Sequence, residues 1–182
     1  MNPRTLTAAA FAALILGSAS QTHADPRPGA TAPSFDAEDL NGRSHSSREF
    51  AQRPTVVVVC TSADASSAAN AWLQQAKNRA HGQVRVVTLV ALRLPFFVSQ
   101  GMVRGRARPQ VTPQEWANTW IDIHGSVQNA LSLSDGSATP YVFTVDSTGR
   151  VIAAVHAPVN HPAASAIMSA IDQAGGALAA SR

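Results

Sequence analysis

The chain has one cysteine in 182 residues, Cys60, and that scarcity bounds its chemistry. A lone thiol forms no disulfide within the chain, and it excludes both a cysteine-based zinc site and a Cys-x-x-Cys redox pair. Lysine is almost missing as well: of 14 basic residues only Lys77 is a lysine, set against 11 acids. The pI near 10.0 therefore reflects arginine usage more than a strong positive field, and no general nucleic-acid binder is expected. Aromatics are few (six Phe, three Trp, one Tyr), so the core must be built mostly from Val, Leu and Ala. Long apolar runs are absent too. The longest early one, Ala8 to Gly17, is too short to cross roughly 30 Å of hydrocarbon as a helix. No transmembrane segment is expected.

What is present is informative. Arg4, the short apolar run, and then Thr22 and Ala24 at the two small-residue positions follow the secretory pattern of charged start, apolar middle and small cut site. Residues 1–24 therefore read as a signal peptide, residues 25–30 as a Pro-rich linker, 31–175 as one domain and 176–182 as a tail. The protein is expected to be exported, to the periplasm in a Gram-negative cell. A hydrophobic content of 45% against 14% charged residues allows a packed core and excludes wholesale disorder.

Beyond the linker the pattern alternates between strand and helix. Ser34 to Asp36 and Ser44 to Ser46 read as short strands around Asn41-Gly42, a favoured type I′ hairpin pair. Thr55 to Cys60 is a continuous β-branched run, as in a strand buried on both faces. Asp64 or Ser66 can cap the following helix, whose inner face would carry Ala69, Trp72, Leu73, Ala76 and Ala80. Gly82 ends that helix and Val84 to Leu92 is a second buried strand, which completes a βαβ unit with parallel strands. Pro95 to Pro109 reads as an irregular loop that sets Arg104, Arg106 and Arg108 at alternate positions. Thr112 to Thr119 reads as a helical turn, Trp120 to Gly125 as a short strand and Val127 to Leu133 as a short helix. Tyr141 to Asp146 and Val151 to Val155 form an antiparallel pair. Asn160 caps a final helix, and Gly175-Gly176 ends it.

Several local features fall in an order that resembles the thioredoxin-like superfamily, nearest the exported redoxins of the TlpA, AhpC/TSA and YtfJ types. They are the opening Gly29-Ala-Thr-Ala-Pro33-Ser-Phe35, the pair Arg53-Pro54 ahead of the first core strand, Asp122-Ile-His-Gly125, Thr139-Pro140, and Asp146-Ser-Thr-Gly-Arg150. The resemblance covers residues 29–174. It implies an α/β fold, a three-layer α/β/α sandwich around a mixed sheet, with core strands in the order 84–92, 55–61, 140–146, 151–156. It further implies that Pro140 corresponds to the proline, cis in those families, that presents backbone for an extended substrate.

The catalytic segment departs from that pattern. Where TlpA-type members carry paired thiols, this chain reads Ala65-Ser66-Ser67-Ala68, and no Pro or peroxidatic Cys appears across residues 61–68. Cys60 lies at the end of a valine run, where a cysteine behaves as a small hydrophobe. If Thr61-Ser-Ala-Asp64 is a capping box, Cys60 sits instead just ahead of a helix's positive end. Two readings follow: a non-catalytic binding or structural module on a thioredoxin fold, or a thiol oxidoreductase or peroxidase that uses Cys60 alone. The candidate binding residues are Thr139, Pro140, Arg104, Arg106 and Arg108, facing an exported protein or an anionic ligand. No cofactor and no metal is expected: His156 and His161 lack a third ligand, Asp122 with His124 is a turn pair, and Ser66 and Ser67 lack a base.

Overall fold

The computed structural model describes residues 26–180. The expected signal peptide lies outside them. The described chain forms one seven-stranded mixed sheet with helices on both faces. Its strands are β1 (Asp36–Asp39), β2 (Ser44–Ser46), β3 (Thr55–Cys60), β4 (Arg85–Ala91), β5 (Thr119–Asp122), β6 (Tyr141–Val145) and β7 (Val151–His156), in the spatial order β2-β1-β5-β4-β3-β6-β7. The four core strands stand in the order the sequence predicts.

β3 is central and every residue of it is buried, as a β-branched run without polar interruptions requires. It pairs parallel with β4 and antiparallel with β6. Because side chains alternate across a strand, β3 feeds two cores. Val56, Val58 and Cys60 point into a layer closed by α1 (Ser66–Ala80) and α4 (Ala164–Ala180), with Trp72, Ile167 and Ile171 at its centre. Val57 and Val59 point the other way, toward Phe35, Phe50, Trp120 and α3 (Ser126–Leu131). The inner face of α1 is Ala69, Trp72, Ala76 and Ala80; three alanines let the helix sit close, and the indole fills the remaining volume. Trp72 Nε1 donates to Ala157 O at 2.8 Å, which ties α1 to the exit of β7.

Four local expectations need correction. Asn41-Gly42 does not form a type I′ turn: of the pair only Gly42 has positive φ (+87°). The loop is the three-residue form with a glycine at its left-handed position, closed by Asp39 N to Arg43 O and Gly42 N to Asp39 O. The expected irregular loop contains α2 (Gln100–Ala107), capped by Ser99. Its two glycines disfavour a helix by about 1 kcal/mol each, and packing of Val103 and Ala107 against Leu40, Ile121 and Ile123 overrides them. The final helix begins at Ala164, and in the turn ahead of it the side-chain acceptor is His161, whose Nδ1 accepts from Ala163 N at 3.2 Å, and not Asn160. The helix runs through Gly175-Gly176 to Ala180. Neither glycine therefore terminates the helix.

The segment entering the domain pairs with its far end. Gly29 N donates to Val151 O (2.8 Å), Val151 N to Ala30 O (2.9 Å) and Ala32 N to Gly149 O (2.8 Å). No helix among the described residues is long and apolar enough to cross a membrane.

Candidate functional site

The C-terminal ends of β3, β4 and β5 face one edge of the sheet, together with the start of β6. This is where an open α/β sheet places its chemistry. Cys60 closes β3 there, yet it points into the layer beneath α1 and α4 and is only 6% exposed. Burial pushes its thiol up to about 11, since an apolar layer disfavours the thiolate.

The expected capping box does not form. Thr61 Oγ1 accepts from Ser137 N (3.2 Å) and Thr61 O accepts from Gly136 N (3.2 Å), so its side chain ties β3 to the 136–137 loop. A short 3-10 turn, Ala63–Ala65, precedes α1 and is capped by Ser62, whose Oγ accepts from Asp64 N at 3.1 Å. Neither expected cap acts as one: the helix proper begins without a side-chain cap, and Ser66 Oγ instead donates back to Ala63 O at 2.6 Å. The place of the paired thiols is thus the first turn of α1, with Ala65 buried and Ser66 and Ser67 exposed.

Thr139-Pro140 lies beside this turn. The described residues contain no cis peptide bond, so Pro140 is trans and the cis presentation implied by the resemblance is not there. Thr139 is held internally: its N–H donates to Ser137 Oγ (3.1 Å) and its carbonyl accepts from Ser137 Oγ (2.8 Å). His156 completes the clamp, with Nε2 3.1 Å from Thr139 O and 2.9 Å from Ser137 Oγ. Ser137 Oγ and His156 Nε2 thus converge on the Thr139 carbonyl, which only accepts. His156 is fixed from the other side by stacking on Tyr141, with ring centroids 3.8 Å apart. A cleft of about 390 Å³ opens next to these two rings, lined also by Ser132, Ser134 and Phe143. It is on the sheet face opposite Cys60, because Phe143 and Tyr141 belong to the other core.

The arginines are not brought to this edge. As α2 is helical, residues four apart share a face and residues two apart do not. Arg104 Nη1 meets Glu38 Oε2 at 2.8 Å. Arg108 Nε donates to Leu40 O at 2.8 Å, and its guanidinium lies 4.9 Å from the Trp116 ring centroid. Both hold α2 to the β1–β2 hairpin. Arg106 is exposed and makes no ion pair among the described residues. Since β1 and β6 are four strand spacings apart, about 19 Å of sheet separates Arg104 and Arg108 from Thr139-Pro140.

Sequence reading missed a charged cluster at the hairpin. His45 Nε2 lies 3.2 Å from Asp39 Oδ2 and Nδ1 lies 3.0 Å from Glu49 Oε1. The ring stacks on Trp120 at 4.7 Å, and Arg85 sits 5.3 Å from the same indole centroid and 3.4 Å from Glu49 Oε2. Burial alone would raise the Asp39 carboxyl, but hydrogen bonds from Arg43 N–H, His45 and Asn41 outweigh it and hold the group low. Glu49 is held low in the same way, by His45, Ser46 and Arg85 against burial. The four-residue step from His45 to Glu49 was the available signal. Among the described residues no group of three His, Cys, Asp or Glu side chains is placed to hold a metal ion.

No family model and no curated protein matches this sequence. Solved structures do match the fold. The exposed lipoprotein thioredoxin of Streptococcus pneumoniae superimposes with a TM-score of 0.53 at 14% identity, over 77% of this chain and 98% of that one. The thioredoxin domain of a thiol-disulfide oxidoreductase from Bacteroides vulgatus gives 0.54 at 13% identity, over 81% and 96%. A thiol:disulfide interchange protein of the thioredoxin family from Chlorobium tepidum gives 0.50 at 20% identity, over 84% and 100%. The chain therefore has the thioredoxin-like fold, and it has that fold with a single, buried cysteine.

Proposed function

We propose that this is an exported thioredoxin-fold protein that binds a partner and carries out no thiol chemistry. One observation carries the reading. The only sulfur is buried beneath two helices, with its pKa raised to about 11, so at pH 7 about one molecule in ten thousand would hold a thiolate. Attack on a disulfide or a peroxide requires an accessible thiolate. The turn that would hold the paired thiols offers Ser66 and Ser67, neither of which bonds a histidine among the described residues. Two of the similar structures are named for thiol-disulfide chemistry, and that activity is not inherited through a fold whose paired sulfurs are missing.

The binding edge we assign is the one formed by the 136–140 loop, with Thr139 and Pro140, and the first turn of α1. The clamp of Ser137 and His156 uses the backbone groups of Thr139 internally, so a partner meets side chains and loop shape there, not a free strand edge. Arg106 supplies a separate cationic contact. Export rests on residues 1–24, and the protein recovered from periplasm should begin at Asp25. The decisive assay is reduction of insulin by dithiothreitol. The protein should not exceed background; turnover that vanishes in Cys60→Ser would replace this reading with a monothiol oxidoreductase.

A further inference from the structure

We propose that the turn carrying Phe96 and Phe97, with the outer face of α2, is a docking element for an anionic lipid surface. The proposal shares Arg106 with the reading above, but it needs neither the thiol nor the Thr139-Pro140 loop. Phe96 is 99% exposed, Phe97 71% and Met102 52%, the large hydrophobics most open to solvent among the described residues. The exposure is built in. Val98 N donates to Pro95 O at 2.9 Å, which puts both phenylalanines at the central corners of a β-turn, where Gly, Asn, Asp or Pro is usual. Their rings pack edge to face at 5.8 Å, so each contacts the other and little else.

Both flanks of the turn are fastened. Before it, Leu94 N donates to Ile123 O (3.2 Å), and Arg93 pairs with Asp135 (3.1 Å) and bonds Asn129. Gly125 makes room for that arginine: a Cβ there would stand 2.9 Å from Arg93 Nε. After it, Ser99 caps α2 and Gln100 Nε2 donates to Ile121 O at 2.6 Å. The two rings therefore project from a rigid base. On α2, Met102 and Arg106 are four residues apart and share the outward face, while Val103 and Ala107 pack inward.

The surrounding charge selects the partner. No acidic residue occurs between Phe96 and Arg108; of the basic residues beside the turn and on α2, Arg93 and Arg104 are paired with Asp135 and Glu38, while Arg106 has no ion pair among the described residues. Two exposed rings, and a cation that shares the outward face of α2 with Met102, with no unpaired carboxylate of the same segment, suit an anionic headgroup layer over an apolar interior. A second copy of the chain suits it less. The three side chains offer roughly 400 Å², against about 800 Å² per partner in a stable interface. A protein partner would need a cavity shaped to two protruding rings, whereas a fluid interface needs none.

The test uses the full chain with vesicles of phosphatidylcholine alone and vesicles with a quarter of the lipid replaced by phosphatidylglycerol. Residues 1–24 contain an apolar run of their own, so the readout must be local to the turn. Phe96→Trp provides it, with Phe96→Ser as the background for the native tryptophans. On anionic vesicles the indole at 96 should shift to shorter wavelength and be quenched by brominated lipid. Phe96→Ser/Phe97→Ser should lower partitioning at least about tenfold with an unchanged melting temperature. Arg106→Gln should lower it about fivefold on anionic vesicles at low salt and leave it unchanged on neutral ones. An indole that stays unquenched while the chain sediments with vesicles would overturn the proposal. So would a double serine variant that keeps vesicle binding but loses self-association or a cross-linked protein partner.

Discussion

Two regions of this molecule each hold one group of the kind enzymes use, and they surround it in opposite ways. At the Cys60 end the surroundings are apolar: Val58, Ala65, Trp72 and Ile167 line the same layer, and burial drives the thiol toward its neutral form. At the β1–β2 hairpin the imidazole of His45 faces a carboxylate on each nitrogen and an indole on its ring face. One group has no polar partner in its layer, the other has a partner on every side. Residue identity therefore says little about reactivity in this chain; the environment of each group decides it.

The largest expected effect is at the apolar end. Trp72→Ala should cost about 3–5 kcal/mol, because it removes a fully buried indole and its bond to Ala157 O. Urea melts would read the loss. Cys60 should be inert to Ellman's reagent in the native wild type and become reactive without denaturant in this variant. If the wild-type thiol already reacts in native buffer, the contrast between the two regions fails.

The next effect is at the hairpin. Asp39 is completely buried as a side chain, so His45→Ala should cost about 1–3 kcal/mol by leaving it short of a partner. The pH dependence has a definite sign. Asp39 and Glu49 are both held below their ordinary values of 3.8 and 4.5. Their stabilisation is therefore fully present above those values and is lost as pH falls through the lower folded ones. Melting temperature should drop below about pH 4 in the wild type. The drop should be shallower in His45→Ala, though not abolished, since Asp146 is also held low: burial would raise it, but hydrogen bonds from Thr148 and Arg150 outweigh that.

The smallest effect separates neighbouring arginines. Arg106→Ala should change stability by less than about 0.5 kcal/mol, whereas Arg104→Ala, which frees Glu38 and uncovers the hairpin glycine, should cost about 1 kcal/mol. Equal melts for the two would mean that α2 is not held to the hairpin as described.

Much of the fold was legible in the sequence because its signals are local and redundant. The valine run of β3, the alanine face around Trp72 and the ββ turn at Asp146 to Arg150 each point to one structure without outside help. The burial of Cys60 followed from the same run. What was not legible depends on tertiary contact. α2 looked like a loop because Gly101 and Gly105 weaken its helical signal, and only Leu40, Ile121 and Ile123, distant in sequence, supply the packing that restores it. The helix also turns Arg106 away from Arg104 and Arg108, which the alternate spacing alone does not reveal. The clamp around Thr139 joins residues 137, 139 and 156, whose spacing obeys no strand or helix period. The hairpin cluster likewise draws on Asp39, His45, Glu49 and Arg85 from four elements.

The pairing of Gly29 to Ala32 with Gly149 to Val151 has a consequence for the order in which the domain is finished. On a ribosome, or emerging through a translocation pore, the first of these segments appears about 120 residues before the second. It must wait unpaired until β7 exists. Until then the opening segment offers open backbone to any passing strand. A chain stalled before residue 149 would present the opening segment with nothing to hold, a natural handle for a holding chaperone.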